Sequence, residues 1–321
     1  MSQLLTTPEV TQLPGGGFVF RGAIEEENRF FTQGDSDDQA VGGSDGDIFA
    51  ASAGDDIISG NGGDDRLYGG SGDDFIQGGS GNDSSRGGRG NDTLIDSEGN
   101  DTLEGQAGND FLSGGEGDDV LDGGNEEDTL VGGKGNDQLL GGLGDDSISG
   151  GAGNDTAYGE QGDDFIAGNL GDDLLVGGGG NDTLLGGEGN DVIQGIRGDN
   201  YLSGGLGNDT ISGSSGSDTF AFSFFGSENT DTLTDFDPNK DVIQLSDTVF
   251  TALDGTVDGS NFTTVDNFDP NNPGASEVDG ANLVYDSSEG SLYYIDESGK
   301  ASPIAQFEDK PVLGFDDFEI I

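Results

Sequence analysis

The sequence predicts an all-β chain, a parallel β-solenoid with eighteen residues per coil and a small antiparallel β cap domain at its carboxy-terminal end. Three observations predict it. From Gln33 to Ala221 the chain falls into twenty-one rows of nine residues without an insertion or deletion. Most rows open with glycines, and every row but one closes on a three-residue segment with an apolar residue at its centre. After Ala221 glycine thins out, and apolar and polar residues alternate as they do in ordinary strands.

Down the columns the repeat reads Gly, Gly, variable, Gly, Asp or Asn, Asp, variable, Leu/Ile/Phe, variable, as in "GGEGDDVLD" from Gly114 and "GGLGNDTIS" from Gly204. Helix is excluded, because about a third of each row is glycine, which costs roughly 1 kcal/mol per residue in a helix relative to alanine. In a segment such as Phe75-Ile76-Gln77 the outer side chains point one way and the middle one the other, so one residue per row faces a core. A repeat that cannot bury its own apolar residue is stabilised by stacking on its neighbours. Two rows make one coil, and two thin parallel sheets face each other across the column-eight side chains. Column eight is apolar in every row except at Ser85; Ser85, Ala40 and Ala157 should thin the core locally.

With these rows the chain resembles the RTX (repeats-in-toxin) right-handed parallel β-roll of secreted bacterial proteases, lipases, epimerases and cytolysins, over residues 33–221. In that family, carbonyls of the Gly-rich turn and the column-six aspartates of two successive turns hold each calcium ion. The resemblance therefore implies multiple Ca²⁺ as cofactor. Its ligands would be Asp47, Asp56, Asp65, Asp74, Asp83, Asp92, Asp101, Asp110, Asp119, Asp128, Asp137, Asp146, Asp155, Asp164, Asp173, Asp182, Asp191, Asp209 and Asp218.

Elementary chemistry points the same way. Calcium takes six to eight oxygen ligands from carboxylates and carbonyls at about 2.3 to 2.6 Å. Glycine adopts positive φ and lets carbonyls approach where a Cβ would clash. Column five exchanges Asp and Asn freely, as at Asp73 and Asn82, which suits a turn former. Column six is aspartate in twenty of twenty-one rows, with Asn200 the exception, which suits a charged ligand. Asp56 should pair with Asp74, and Asp65 with Asp83, one coil on. Such stacked carboxylates, roughly 4.8 Å apart, repel strongly unless a divalent ion lies between them. The rows offer at most nineteen same-side neighbours, so full loading takes the net charge from -55 to about -17. Without metal, so acidic and Gly-rich a chain should be disordered. Three rows should be gaps or bends: "GGSDGDIFA" interchanges Asp45 and Gly46, "GGNEEDTLV" puts Glu126 at the third glycine, and "GIRGDNYLS" lacks the aspartate.

Composition limits the partners. Ten basic residues stand against sixty-five acidic ones, so nucleic acid and anionic membrane surfaces should be repelled. The chain has neither cysteine nor histidine, which excludes disulfides, Ser-His-Asp and Cys-His catalysis, and HExxH zinc sites. No stretch approaches the roughly 18 to 20 apolar residues of a membrane span. The start, "MSQLLTTPEV", lacks the basic leader and apolar core of a Sec-type signal. The resemblance implies instead type 1 secretion through an uncleaved carboxy-terminal signal, and an extracellular or cell-surface location. Folding should wait for extracellular calcium, since sites of that type have dissociation constants of about 0.1 to 1 mM.

Residues 1–32, with "FVFRGAIEEENRFF" from Phe18 to Phe31, read as a capping segment for the first coil, and Glu25 to Glu27 as a solvated face. Residues 222–321 read as the β cap and secretion signal. There "DTLTDFDPNKDVIQLS" resembles the segment after the roll in serralysin-type proteins, which makes Asp235, Asp237 and Asp241 candidate ligands beside a plain turn at Asp237-Pro238-Asn239. "NLVYDSSEGSLYYID" reads as a hairpin around Ser287 to Gly290, and the end Glu319-Ile320-Ile321 resembles the acidic-then-apolar RTX terminus, with two apolar residues where many members have three.

Only 32 residues precede the rows, too few for a catalytic domain, so the expected function is non-enzymatic: a secreted calcium-binding protein with a structural, surface or adhesive role. Ten and a half coils imply about 50 Å of roll. The competing reading is a polysaccharide-acting carboxylate enzyme, or the secretion and folding accessory of one, using two acids as glycosidases do. Ice binding would want a regular threonine row, which column three lacks. Self-association through an open coil or strand edge, and a cell-surface or matrix polysaccharide, are the partners left open.

Overall fold

A computed structural model of the chain describes residues 9–13, 16–22, 28–253, 255–273, 278 and 280–321; the acidic run Glu25 to Glu27 lies outside the described residues. The structure is all-β apart from short 3-10 turns such as Thr251–Leu253. It divides into two compact units, residues 1–165 and 166–321.

In the first unit alternate strands pair in parallel at a register of eighteen residues. One sheet runs through Ile58↔Ile76 and Leu112↔Leu130, the other through Leu67↔Ser85 and Leu103↔Leu121. Column eight is the core of both units: Leu67, Ile76, Leu94 and Leu112 are fully buried, as are Leu175, Leu184 and Leu202 in the second. Each such side chain contributes roughly 1.5 to 3 kcal/mol. Ser85, Ala40 and Ala157 are likewise buried in column eight, and the Ser85 hydroxyl finds no partner there.

The strands are longer than the three-residue segments expected. From Ile57–Gly62 onward most have six residues, such as Phe75–Ser80 and Phe111–Glu116, so columns two and three of the next row also pair across coils. The ladder skips column one, between Ser113↔Val131 and Gly115↔Gly133, and the chain turns there. The tight turn proper is columns four to six. At its first position Gly72 has φ +128°, and a Cβ on it would lie 2.1 Å from the carbonyl oxygen of Gly54, one coil earlier. Both facts require glycine.

At the amino-terminal end Phe18–Arg21 and Arg29–Phe31 pair in parallel with the first two short strands of the rows, Gln39–Val41 and Ile48–Ala50. Phe20 stacks on Phe30 at 4.8 Å and packs edge-on against Phe49 at 5.4 Å.

In the second unit the rows pair through Leu175↔Ile193, Ile193↔Ile211 and Leu184↔Leu202. Parallel pairing persists past Ala221: Ile211↔Leu233↔Phe307 in one sheet, and Phe220↔Ile243↔Phe318 in the other. The antiparallel part is Leu283–Asp286, Ser291–Ile295 and Ala301–Phe307, whose hairpin turns at Ser287 to Gly290 as expected. Tyr294 of this part packs against Phe225 and Phe250, with ring centroids 5.0 to 5.5 Å apart among the three. Among the described residues no helix is long and apolar enough to cross a membrane.

Candidate metal centre

The turns place the column-six aspartates in buried files inside each unit, among residues that offer little solvation. In every case shown, one carboxylate oxygen is fixed by the coil before it. Asp56 N–H donates to Asp74 Oδ1, Asp74 to Asp92, and Asp110 to Asp128, each at 2.8 Å. In the other file Asp65 N–H donates to Asp83 Oδ1 at 2.7 Å, Asp83 to Asp101 and Asp119 to Asp137 at 2.8 Å. The second unit repeats this from Asp173 to Asp191 and from Asp191 to Asp209, each at 2.8 Å.

The second oxygen is different. Oδ2 of Asp56, Asp65, Asp74, Asp83, Asp92, Asp101, Asp110, Asp119, Asp128, Asp137, Asp146, Asp191 and Asp209 is buried without a hydrogen-bond partner. Buried carboxylate oxygens without donors are costly unless a cation or proton meets them. Column-one glycines back most of these oxygens, Ala51 and Asp96 standing there in the rows of Asp56 and Asp101: a Cβ on Gly60 would lie 1.9 Å from Asp65 Oδ2 and 2.7 Å from the carbonyl oxygen of Gly78. A Cβ on Gly186 would lie 2.2 Å from Asp191 Oδ2 and 2.4 Å from the Gly204 carbonyl oxygen. Carboxylate and carbonyl oxygens from successive coils thus converge on one small space. An all-oxygen set of this kind suits a hard divalent cation, and the orphaned Oδ2 atoms fit calcium.

Burial, the largest cause, pushes the acids upward: Asp56, Asp65, Asp92, Asp101, Asp128 and Asp191 to about 7, and Asp74, Asp110, Asp137 and Asp146 to about 6. The accepted N–H bond opposes this, and neighbouring carboxylates add to it in every one of these groups. Metal-free, the files hold carboxylates where charge is poorly tolerated.

Asp155, Asp164, Asp173 and Asp182 are buried in the same column. Asp47 differs: Gly43 N–H reaches its Oδ2 at 2.9 Å, and Asn28 donates to its Oδ1 through both N–H and Nδ2. In that row, then, the metal-facing oxygen has a backbone donor instead. The row of Glu126 keeps its turn. Glu126 adopts φ +72°, its Oε2 accepts Gly108 N–H at 3.0 Å, and Asp128 keeps an orphaned Oδ2. Asn200 takes the place of the missing carboxylate with Nδ2, which donates to Gly198 O at 3.1 Å and Asp218 Oδ1 at 2.9 Å.

Column five behaves as a turn former. Asn82 N–H donates to Asp64 Oδ1 at 2.9 Å and Asn100 N–H to Asn82 Oδ1 at 2.8 Å, on exposed positions where amide and carboxylate serve equally.

Of the three carboxy-terminal candidates only Asp241 joins a file, its Oδ1 accepting Asp218 N–H at 3.0 Å while Oδ2 accepts Asp237 N–H at 2.8 Å. Asp235 is held by Ser212 Oγ, Gly213 N–H and Ser214 N–H, and Asp237 caps its own turn through Asn239 N–H. Two acids were not anticipated. Asp231 ends the other file, accepting Asp209 N–H at 3.1 Å, and burial raises it to about 8. The triplets Asp231-Thr232-Leu233 and Asp241-Val242-Ile243 repeat columns six to eight, a signal present in the sequence. Asp96 stands in column one, where glycine is the rule, and its carboxylate meets those of Asp83 and Asp101 within 4.8 Å.

Fold and files together define an acidic β-solenoid of the calcium-binding repeat class. The sequence profile of the RTX calcium-binding nonapeptide repeat matches residues 33–67, 41–76, 59–94, 95–130, 122–157, 149–184, 158–193 and 185–220, and the chain belongs to that family. Fifteen solved chains match. One is the solution structure of the AlgE6R3 subunit from the Azotobacter vinelandii mannuronan C5-epimerase, 24% identical, covering 47% of this chain and 79% of that one with a TM-score of 0.32. No curated protein matches.

Proposed function

We propose that this chain is a secreted, non-enzymatic calcium-binding protein that folds when calcium enters between its coils, and that serves as a structural, surface or adhesive element outside the cell. The observation that carries this reading is the set of orphaned Oδ2 oxygens on buried aspartates, repeated row after row from Asp56 to Asp146 and found again at Asp191 and Asp209. The column-six aspartates from Asp47 to Asp218, other than position 200, would hold the ions together with column-one carbonyls such as those of Gly78 and Gly204. Bound there, calcium supplies the positive charge that lets the carboxylates stay ionised in a buried place. The chain's own part is to fix Oδ1 through the N–H of the previous coil, and to keep Cβ atoms out of the space that Oδ2 faces.

The extracellular role follows from the supply of metal. Weak sites fill where calcium is at about millimolar level, so the chain would stay loose during type 1 export and fold on exit. Calcium is added to chelated protein while far-UV circular dichroism and calorimetry are followed. The expected result is a cooperative gain of β signal with uptake of several ions; a flat response in both overturns the reading.

A further inference from the structure

Asp96 is the only charged residue in column one of the twenty-one rows. The side chain is buried at 4% exposure, and so are Asp83 at 3% and Asp101 at 1%. Its Oδ1 is fixed by Gly79 N–H at 2.8 Å and Ser97 N–H at 3.0 Å. Its Oδ2 has no partner, and neither does Oδ2 of Asp83 or Asp101. A Cβ on Gly78 would lie 2.0 Å from Asp96 Oδ2 and 2.6 Å from Asp83 Oδ2, so both oxygens look into the space that an ordinary step lines with one carboxylate and a carbonyl. Asp83 and Asp101 are already neighbours in one file, joined by Asp83 N–H to Asp101 Oδ1. An ordinary step thus offers two carboxylates, and this one offers three.

We propose that Asp96 turns the repeat step between Asp83 and Asp101 into a three-carboxylate calcium site, unlike the ordinary two-carboxylate steps, and that it is the first to fill. Affinity in all-oxygen sites rises with the number of charged ligands and with their rigidity. Here the third carboxylate is rigid, because two backbone N–H groups hold it. Three carboxylates without a cation also repel one another most, so this step gains most from a divalent ion. A first ion here would order the coil on each side and lower the ordering still needed for the next.

The proposal rests on the reading that calcium lies between coils, and the test separates the two. The chelated full chain, D96G and D96N are each titrated with calcium by calorimetry. D96G restores the glycine that the repeat normally has, so the coil keeps its turn, and D96N keeps the shape of the side chain without its charge. In the parent chain one ion is expected to bind at least about tenfold more tightly than the rest. In both variants that step is lost, while the later ions and the final circular dichroism spectrum are retained. Superimposable titrations overturn the proposal. So does tighter binding or an added ion in D96G, which would make Asp96 a plug. A parent chain that takes up no calcium overturns both this and the function proposed above.

Discussion

A single carboxylate oxygen distinguishes columns five and six. Column-five side chains accept one N–H at an exposed position, whereas column-six side chains accept one N–H and leave a second, buried oxygen for something else. The substitutions N109D and D110N should therefore differ. N109D is expected to leave calcium uptake and thermal midpoint unchanged. D110N should lower both in calcium, yet raise stability in chelator at neutral pH, because burial opposes the Asp110 charge there. Thermal melts in calcium, and the β signal by circular dichroism in chelator at neutral pH, check the crossing. Backbone conformation gives a second case. Ile196 holds φ +83° in column two, a β-branched residue in the left-handed region, where Asn61 and Asn169 sit at +74° and +78°. Asparagine tolerates that region and isoleucine does not. Ile196→Asn is expected to stabilise the calcium-loaded protein by about 0.5 to 1 kcal/mol, read from denaturant midpoints.

At the scale of the coil, a column-one glycine such as Gly114 is constrained by what it faces. A Cβ at Gly114 would stand 2.2 Å from Asp119 Oδ2, so Gly114→Ala should displace that carboxylate, cost about 1 to 3 kcal/mol and remove calcium from the step. Gly259→Ala, with nothing within 4 Å, should leave both unchanged. Equilibrium unfolding in calcium checks the pair. The coil itself was readable in the sequence because its side-chain signals recur at a fixed spacing: Leu67 and Ile76 mark the core, and Asp65 and Asp74 the files. The six-residue strands were not, because Gly115 and Gly133 pair through backbone alone and carry no side-chain signature. Asp96 is not singled out, because a lone acid in column one has no partner in the sequence until the fold sets it against Asp83. Asp231 keeps the local triplet but lies 22 residues from its partner instead of 18, so a nine-residue frame loses it, whereas Asp241, 23 residues from its partner, is reached through the resemblance of its segment.

For the whole molecule, protons and calcium compete for the same oxygens. With acids at about 6 to 7 in the metal-free fold against 3.8 when unfolded, the folded chain binds more protons between those values. Metal-free stability must then fall as pH rises from about 4 to about 7, and be greatest below that window. The calcium-loaded form moves oppositely, since its ligands must be ionised, so apparent calcium affinity falls as pH drops through about 7 to 6. Chelated protein should therefore gain β signal on acidification from about pH 8 to about pH 5, while protein at limiting calcium loses bound metal over the same range. Relief of the net charge of -55 would act in the same direction. Salt separates the two, because it screens exposed charges within about 10 Å at 0.1 M and reaches the buried files far less. If the acid-induced signal persists at high salt, the files are its source. If added salt at neutral pH reproduces all of it, exposed charge and not the buried aspartates governs the metal-free chain.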